Sequence, residues 1–232
     1  MRTIELSGTP WERGRQHGQA AAQDLRRLRR GLLQYLARLS FYGGALPFYA
    51  ILTFLARGFW PFIPPRLQEE MRGVAAGAHV GLGTVLLINV IDDLANNSPR
   101  CSALAAGGRR TAGGRWLMGR NLDYPLFIQE MIRFQTLFLM EPDQGLPLAS
   151  IGWPGYVGVC TGINKAGVAL AQLSAMSRDR TLKGMPAALR FRLALEEEAT
   201  LTGVAARILA APGTIGNNLM LCAPGEAAVL EL

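Results

Sequence analysis

The chain has 232 residues, enough for one large domain or two small ones with a substantial buried core. Half of the residues are apolar and 18% are charged, which argues against an intrinsically disordered chain. The net charge is +7, but the arginines that dominate it are mostly scattered. Because nucleic-acid binders gather basic residues into a patch with aromatic residues, nucleic acid is not an expected partner.

The first forty residues predict a short strand followed by a long helix. Residues 3–6 (TIEL) have strand character, and a helical pattern starts at Pro10, where proline suits the first turn. Within this helix, DLRRLRR at 24–30 predicts a solvated basic face, which could also meet anionic lipid or an acidic cosubstrate.

Residues 41–65 form the most apolar stretch of the chain. A membrane-spanning helix needs about 20 uninterrupted apolar residues, whereas Pro47, Arg57 and Pro61 interrupt this stretch. It is therefore interpreted as amphipathic helices that pack on the core or touch a membrane surface. The pattern continues as helix over 66–83, and 84–97 is a helix or a buried apolar run.

Beyond residue 100 the pattern changes to short apolar or alternating runs separated by Gly, Pro, Asn or Asp, which predicts successive antiparallel strands. These runs lie at 101–108, 115–124, 131–141, 146–155, 157–167 and 168–176. Two helical patterns and two further strands follow, at 185–199, 200–211, 217–224 and 227–232. With no βαβ alternation, the pattern predicts an α+β fold of antiparallel sheets with helices packed outside them.

The change of pattern also predicts the domain organisation. Residues 1–100 form a mostly helical, propeptide-like segment, and 101–232 form the start of a β-rich core. The last residues, AAVLEL, end inside an apparent strand, so the core is expected to be truncated at its C-terminus.

Few residues are available for metal or redox chemistry. Three cysteines without framework spacing argue against a disulfide scaffold. With two histidines, no CxxC and no HExxH, no metal site and no cofactor is expected. Cys160 and Cys222 lie in apolar runs and are interpreted as buried strand residues.

The third cysteine, Cys101, follows a polar break in NNSPRCSALAAGG at 96–108. It is either an ordinary buried strand residue or the first residue of a mature enzyme produced by cleavage after Arg100. In the second case its free α-amine could act as general base for its own thiol, since no histidine lies close in sequence. The thiol could also perform the cut, by attacking the Arg100 carbonyl in an N-to-S acyl shift from an exposed, strained loop that contains Pro99.

Four stretches of the chain resemble the N-terminal nucleophile (Ntn) hydrolases of the isopenicillin-N acyltransferase type. More distantly, they resemble choloylglycine hydrolases and the acid ceramidase and N-acylethanolamine acid amidase pair. The stretches are GTPWERGRQHG at 8–18, EEMRGVAAGAHVGLGTVLLINVIDD at 69–93, RCSALAAGGRRTAGGRWLMGRNLDYP at 100–125 and VGVCTGINKAGVALAQLSA at 157–175. The resemblance implies a four-layer αββα sandwich, that is, two antiparallel sheets between helical layers.

The same resemblance implies roles for individual residues. Cys101 corresponds to the nucleophile, with cleavage between Arg100 and Cys101. Asp123 corresponds to the acid that orients the amine or its neighbours, and Arg120 to an arginine near the nucleophile in the amidase relatives. Asn121 belongs to the same motif, as a structural residue or a substrate contact.

Ser174 occupies the position at which bile-salt hydrolases have an oxyanion-hole asparagine. The family's further oxyanion asparagine and its distal arginine would lie beyond Leu232, and no residue of this chain replaces them.

Each of these residues also has a structural interpretation. Asp123 could cap or turn a strand end, and Arg120 could be a surface ion-pair partner. His17 is interpreted as a packing or hydrogen-bonding residue of the first helix. Asn164 and Gly167 are interpreted as hairpin-turn residues.

The predicted activity is that of a self-cleaving cysteine amidohydrolase or acyltransferase that acts on linear, non-peptide amides through a Cys101 thioester. Its expected partners are a small-molecule N-acyl amide or acyl donor, its own cleavage product as a heterodimer, and a peripheral membrane contact. A cytoplasmic location is expected, because the N-terminus lacks an apolar signal region. The alternative is a non-catalytic or truncated relative that serves as a binding or membrane-peripheral scaffold.

Overall fold

The computed structural model describes residues 1–39, 44–95, 100–123 and 133–232. Its strands are β1 (Arg2–Gly8), β2 (Arg100–Ala106), β3 (Leu117–Asp123), β4 (Thr136–Pro142), β5 (Leu148–Gly152), β6 (Thr161–Asn164), β7 (Ala169–Ser174), β8 (Asn217–Ala223) and β9 (Glu226–Glu231). Its helices are α1 (Pro10–Leu39), α2 (Ala45–Arg57), α3 (Pro65–Ala78), α4 (Leu82–Ala95), α5 (Ala187–Glu197) and α6 (Leu201–Leu209). The chain therefore has a mixed α+β fold, with the elements in the order that the sequence predicts.

A seven-stranded sheet in the order β1-β4-β5-β6-β7-β8-β9 is the centre of the fold. Its neighbouring strands are antiparallel from β4 to β9, as expected, but β1 runs parallel to β4. The expectation of purely antiparallel sheets is wrong at this edge. A parallel pair needs a long crossover, and more than one hundred residues of helix and hairpin connect β1 to β4.

Helices cover one face of this sheet. Leu6, Phe138, Leu170 and Leu221 project from four of its strands into a core shared with α1, α5 and α6. A second core lies among α1, α2, α3 and α4 and extends beneath the loop that follows β5. Segments on both sides of residue 100 therefore contribute to both cores.

Helices α1 and α3 cross at backbone contact through glycines spaced four residues apart. A Cβ atom at Gly14 would lie 2.0 Å from the Glu70 carbonyl oxygen, and one at Gly77 would lie 2.3 Å from the Arg15 carbonyl oxygen. Gly18 and Gly73 are equally crowded, so any larger side chain at these positions would force the helices apart. These four glycines of the first two family-like stretches are thus packing residues.

Strands β2 and β3 form a separate two-stranded sheet, here called the β2–β3 hairpin. It packs over the face of the large sheet opposite to the helices, against β7 and β8. Its outward residues Leu104 and Leu117 are 70% and 60% exposed, so in the described part of the chain no further layer covers them. The four-layer sandwich is therefore not confirmed, because the described layers are helices, the large sheet and the hairpin.

The apolar stretch at 41–65 contains α2 and a short 3-10 turn, in agreement with the predicted helices, and its residues 41–43 lie outside the described part. Among the helices of the described residues, none combines the length and the apolar character needed to cross a lipid bilayer.

Candidate active site around Cys101

Cys101 lies at the start of β2, on the side of the hairpin that faces the large sheet. In the antiparallel register Cys101 is opposite Leu122, and Ala103 is opposite Arg120. Opposite residues share a face, so Cys101, Arg120 and Leu122 all point towards the large sheet, and all three are partly buried. The predicted loop at 96–99, including Pro99, lies outside the described residues.

The guanidinium group of Arg120 connects Cys101 to the large sheet. Its Nη2 donates to the Cys101 Sγ at 3.9 Å, and its Nη1 contacts the Cys160 Sγ at 3.7 Å. The same Nη1 donates a short hydrogen bond of 2.6 Å to the Thr161 hydroxyl. The structure therefore brings together Cys101 and Arg120, two residues selected from the sequence, and places a positive charge where a thiolate would form.

The two sulfur atoms beside Arg120 differ in environment. Burial raises the pKa of the Cys160 thiol, and the negative charge of Asp92 adds to this, while Arg120 acts in the opposite direction. Cys160 is buried, whereas Cys101 is only partly buried. Cys160 is therefore the neutral, enclosed thiol of the pair and Cys101 is the accessible one.

Asp123 and Asn121 lie on the other face of the hairpin. Both are exposed, and the Asn121 side-chain amide donates to the two carboxylate oxygens of Asp123 at 3.0 and 2.9 Å. Asp123 is opposite Arg100 in the strand register, so it lies beside the Arg100–Cys101 peptide bond rather than beside the sulfur. From this position it would be close to an amine released by cleavage, and its predicted role stays a prediction.

Ser174 is not brought to Cys101. It ends β7 opposite Asn217, and strand alternation gives it the same side as Leu170 and Gln172, which face the helices. Cys101 approaches the sheet from the opposite face. The structure thus provides no contact for the predicted oxyanion role of Ser174.

Three buried polar side chains from three helices hold the loop that leads to Cys160. His17 of α1 accepts from the Gly155 amide at 2.9 Å, Asn89 of α4 accepts from the Val157 amide at 2.7 Å, and Arg192 of α5 donates to the Val157 carbonyl at 3.0 Å. Burial lowers the pKa of His17 to about 3, and the positive charge of Arg192 contributes. His17 is thus a neutral acceptor, which agrees with its predicted hydrogen-bonding role.

Sequence reasoning missed Thr161 and Asn89 as residues that shape the site. The signal for Thr161 was its place directly after Cys160, where a hydroxyl begins a strand in VCTGIN. Asn164 and Gly167 of the same stretch have the predicted turn role. The Asn164 side chain accepts from the Val168 amide, and Gly167 has a φ of 89°, which favours glycine.

A cavity of about 640 Å³ lies between the hairpin and the large sheet. Thr161 lines it, so it adjoins the Arg120 contact, and most of its remaining wall is apolar. The apolar wall includes Trp116, Met118, Leu137, Ile151 and Ile163. Among the described residues, no group of three or more His, Cys, Asp or Glu side chains is arranged to hold a metal ion.

Comparison with known proteins identifies the family to which this chain belongs. The model of the acyl-coenzyme A:6-aminopenicillanic acid acyl-transferase family matches residues 109–232, slightly more than half of the chain. The chain belongs to this family, which confirms the resemblance to the Ntn superfamily. The match begins after Cys101, so the nucleophile assignment depends on the hairpin geometry.

Individual relatives are distant. The chain is 27% identical over 215 residues to an uncharacterized Archaeoglobus fulgidus protein (82% of this chain, 36% of that one). It is 24% identical over 186 residues to protein dcd1A of Dictyostelium discoideum (70% and 42%). It thus spans less than half of these curated relatives. A solved Caenorhabditis elegans N-acylethanolamine-hydrolyzing acid amidase ortholog shares 16% identity, with a TM-score of 0.45 over 57% of this chain and 64% of that one.

Proposed function

We propose that this chain carries the nucleophile of a cysteine amidohydrolase or acyltransferase that acts on linear, non-peptide N-acyl amides. The Cys101 Sγ attacks the amide carbonyl carbon, and the tetrahedral intermediate collapses to a thioester as the C–N bond breaks and the amine leaves with a proton. Water or an acceptor amine then attacks the thioester, which releases the acid or the new amide and restores the thiol.

The free α-amine that serves as base in this reaction would come from self-cleavage. The Cys101 Sγ attacks the Arg100 carbonyl carbon, the Arg100–Cys101 amide becomes a thioester, and water hydrolyses it to leave a carboxylate on Arg100. An ordinary α-amine has a pKa of about 8, so an amine freed at Cys101 would suit proton transfer at neutral pH. Asp123, opposite Arg100 in the register, is suited to orient it.

The observation that carries this proposal is the contact between Arg120 and Cys101. The guanidinium lies 3.9 Å from the sulfur, where its positive charge faces the atom that would attack the substrate. The same guanidinium also lies 3.7 Å from the Cys160 Sγ, so the contact is read together with the difference in burial between the two thiols. The neutral, enclosed environment of Cys160 makes Cys101 the candidate nucleophile of the two.

The neighbouring cavity supports an apolar acyl group as the part of the substrate that is recognised. Its volume of about 640 Å³ falls within the range of roughly 300 to 1,000 Å³ that is usual for small-molecule sites. Thr161 lines this cavity and also bonds Arg120, so an acyl chain bound there with its carbonyl end at Thr161 would have that end on the side of the cavity nearest to Cys101.

Self-cleavage would leave two polypeptides that stay together as a heterodimer. Strand β1 of the first piece pairs along its whole length with β4 of the second, and α1 packs into the same core as α5. Buried ion pairs also cross the cut, such as Glu70 with Arg192 at 3.6 Å.

Trapping of the acyl intermediate tests the proposal. The complete gene product is mixed with N-acyl amides of increasing chain length, quenched in acid and analysed by peptide mass spectrometry. We expect an added acyl mass on the peptide that contains Cys101, and hydroxylamine should remove it, as it does for thioesters. Cys101→Ala should abolish both the adduct and turnover, while the matched Cys222→Ala variant should keep them. Turnover that persists in Cys101→Ala would overturn the proposal.

A second candidate function, membrane-surface binding, is favoured by the exposed side of α2. Leu46 and Phe54 are 68% and 70% exposed, and Phe48, Ile51 and Leu55 are also exposed on this helix. An apolar surface of this kind on one helix is unusual for a monomer and marks an interaction site. The Arg29 guanidinium lies 5.9 Å from the Tyr49 ring of α2, which places the basic face of α1 beside this surface. An anionic lipid surface complements both features.

Vesicle flotation separates this function from catalysis. The protein should float with phosphatidylserine-containing vesicles. With neutral phosphatidylcholine vesicles it should stay in the bottom fraction of the gradient. The double variant Leu46→Ser/Phe54→Ser should lose flotation, and Cys101→Ala should retain it. Equal flotation of the double variant and the wild type would exclude α2 as the lipid contact. Concentration-dependent dimerisation through α2 without vesicles would show that this surface binds a second copy of the chain instead of lipid.

A further inference from the structure

Thr161 has a fixed position at the centre of the large sheet. It is opposite Ala171 of β7, and the next residue, Gly162, is opposite Ser150 of β5, so β6 is held on both sides. The Cys160 carbonyl directly before it accepts from the Gln172 amide at 2.8 Å. The Thr161 hydroxyl is therefore a rigid acceptor, anchored by backbone hydrogen bonds that do not involve the hairpin.

Arg120, in contrast, extends from the hairpin on a long side chain with many rotamers. Its contacts with Cys160 and Cys101, at 3.7 and 3.9 Å, are long and soft, as is usual for sulfur acceptors. Of the contacts with these three residues, the hydrogen bond to Thr161, at 2.6 Å, is the shortest and the most directional. The guanidinium group is planar and rigid. When Thr161 holds its Nη1, the position of Nη2 is restricted as well, and Nη2 points at the Cys101 sulfur.

On the basis of the proposed function, we propose that Thr161 is a positioning residue that fixes the Arg120 guanidinium against the Cys101 sulfur. Thr161 does not touch the reacting atoms itself, and it acts through Arg120. Without its hydroxyl, Arg120 would keep its charge but sample orientations in which Nη2 leaves the sulfur, so the nucleophile would be less often activated.

Four variants of the complete gene product test this role: Thr161→Val, Thr161→Ser, Arg120→Ala and the double variant Arg120→Ala/Thr161→Val. Valine keeps the shape of threonine without the acceptor, and serine keeps the acceptor. Iodoacetamide modification at pH 7 is followed separately at Cys101, Cys160 and Cys222 by peptide mass spectrometry, and thermal unfolding is recorded in parallel.

We expect Thr161→Val to slow modification of Cys101 by roughly tenfold to 150-fold, the equivalent of one hydrogen bond to a charged group. Thr161→Ser should restore most of the rate. In the Arg120→Ala background, Thr161→Val should have no further effect, because residues that act through one contact are not additive.

Three results would overturn the inference. In Thr161→Val, Cys101 could be modified at the wild-type rate. Alternatively, Thr161→Val could slow modification of Cys101 by the same factor in the wild-type and Arg120→Ala backgrounds. It could also expose Cys160 to iodoacetamide, which would show that the hydrogen bond only docks the hairpin. A wild-type Cys101 that reacts no faster than a free peptide thiol would instead contradict the proposed function, so the two failures are distinguishable.

Discussion

Two regions of the molecule carry family-like residues for opposite reasons. At the α1–α3 crossing, the motif residues Gly14, Gly18, Gly73 and Gly77 have no room for a Cβ atom. At the β2–β3 hairpin, Cys101, Arg120 and Asp123 are partly or fully accessible, and the residues on its outer face contribute little buried surface. The crossing needs its residues for packing, whereas packing does not explain those of the hairpin.

The difference shows how the fold and the site are related. The crossing and the buried side chains near it, including His17, hold the loop that carries Cys160 and Thr161 to the hairpin. Arg120 then contacts that loop from the opposite side of the interface. A motif residue can therefore affect activity by supporting the sheet, without taking part in the chemistry.

The largest effect is expected at the crossing. Gly77→Ala puts a Cβ atom 2.3 Å from the Arg15 carbonyl oxygen, so we expect it to lower the free energy of unfolding by about 3 kcal/mol or more. Gly31→Ala in α1 is the matched control, since nothing lies within 4 Å of its Cβ position, and it should stabilise by about 0.5 to 1 kcal/mol. Urea unfolding measures both, and equal stability of the two variants would refute the close crossing.

The next effect concerns activity rather than stability. Arg120→Ala should reduce kcat/KM for an N-acyl amide by roughly 100-fold, since it removes a positioned charge-stabilising donor. Arg120→Lys should lie between this variant and the wild type, because lysine keeps the charge but cannot contact Thr161 and Cys101 together. Steady-state kinetics give kcat/KM for the three proteins, and thermal unfolding scans give their stability. A collapse of thermal stability with unchanged kcat/KM would place Arg120 among the packing residues.

A smaller effect, dependent on pH, belongs to His17. The pKa of His17 in the folded chain is about 3, below its ordinary value of 6.5, mainly because it is buried. Only the unfolded chain therefore binds this proton between pH 6.5 and 3, and the free energy of unfolding falls by about 1.4 kcal/mol for each unit of decrease in pH within that window.

His17→Gln isolates this contribution, because glutamine can accept from the Gly155 amide and does not titrate. Burial raises the pKa of Asp93 to about 6, and hydrogen bonds from Thr214 and Ala187 act against that rise. Asp93 therefore changes stability in the opposite direction to His17, and its contribution cancels because it is the same in both proteins. The stability of the wild type relative to His17→Gln should decrease by about 2 kcal/mol between pH 6.5 and 5. A constant difference across this range would contradict the buried, neutral His17.

The smallest effect is expected on the outer face of the hairpin. Leu104→Ala should change the free energy of unfolding by less than about 0.5 kcal/mol, because Leu104 is largely exposed. Leu170→Ala in β7, where the side chain is fully buried, should cost about 2 to 5 kcal/mol. Chemical denaturation compares the two. A large loss at Leu104 would mean that something covers this face in solution.

Much of the fold follows from local pattern. Strand alternation, the proline at the start of α1 and the glycine-punctuated turns predict most elements within a few residues. The parallel pairing of β1 with β4 could not be predicted, because nothing local to TIEL selects which strand it joins or in which direction. That choice depends on how the intervening helices pack.

The site was predicted only in part. The sequence identified Cys101, Arg120 and Asp123 through their motif, and the structure places the first two in contact. Thr161 was missed because it is 41 residues from Arg120, and their contact exists only when the hairpin lies over β6. Ser174 was selected by its position in a motif. Side chains alternate between the two faces of β7, however, and this alternation puts Ser174 on the face opposite to Cys101.

The central claim is that cleavage before Cys101 releases the amine that activates its own thiol. The most direct measurement is the intact mass of the complete, folded gene product, with Cys101→Ala and Cys222→Ala as matched variants. We predict two polypeptides in the wild type and in Cys222→Ala, one ending at Arg100 and one beginning at Cys101, and a single uncleaved polypeptide in Cys101→Ala. A wild-type protein that remains one polypeptide, or a Cys101→Ala protein cut at the same bond, would contradict the account.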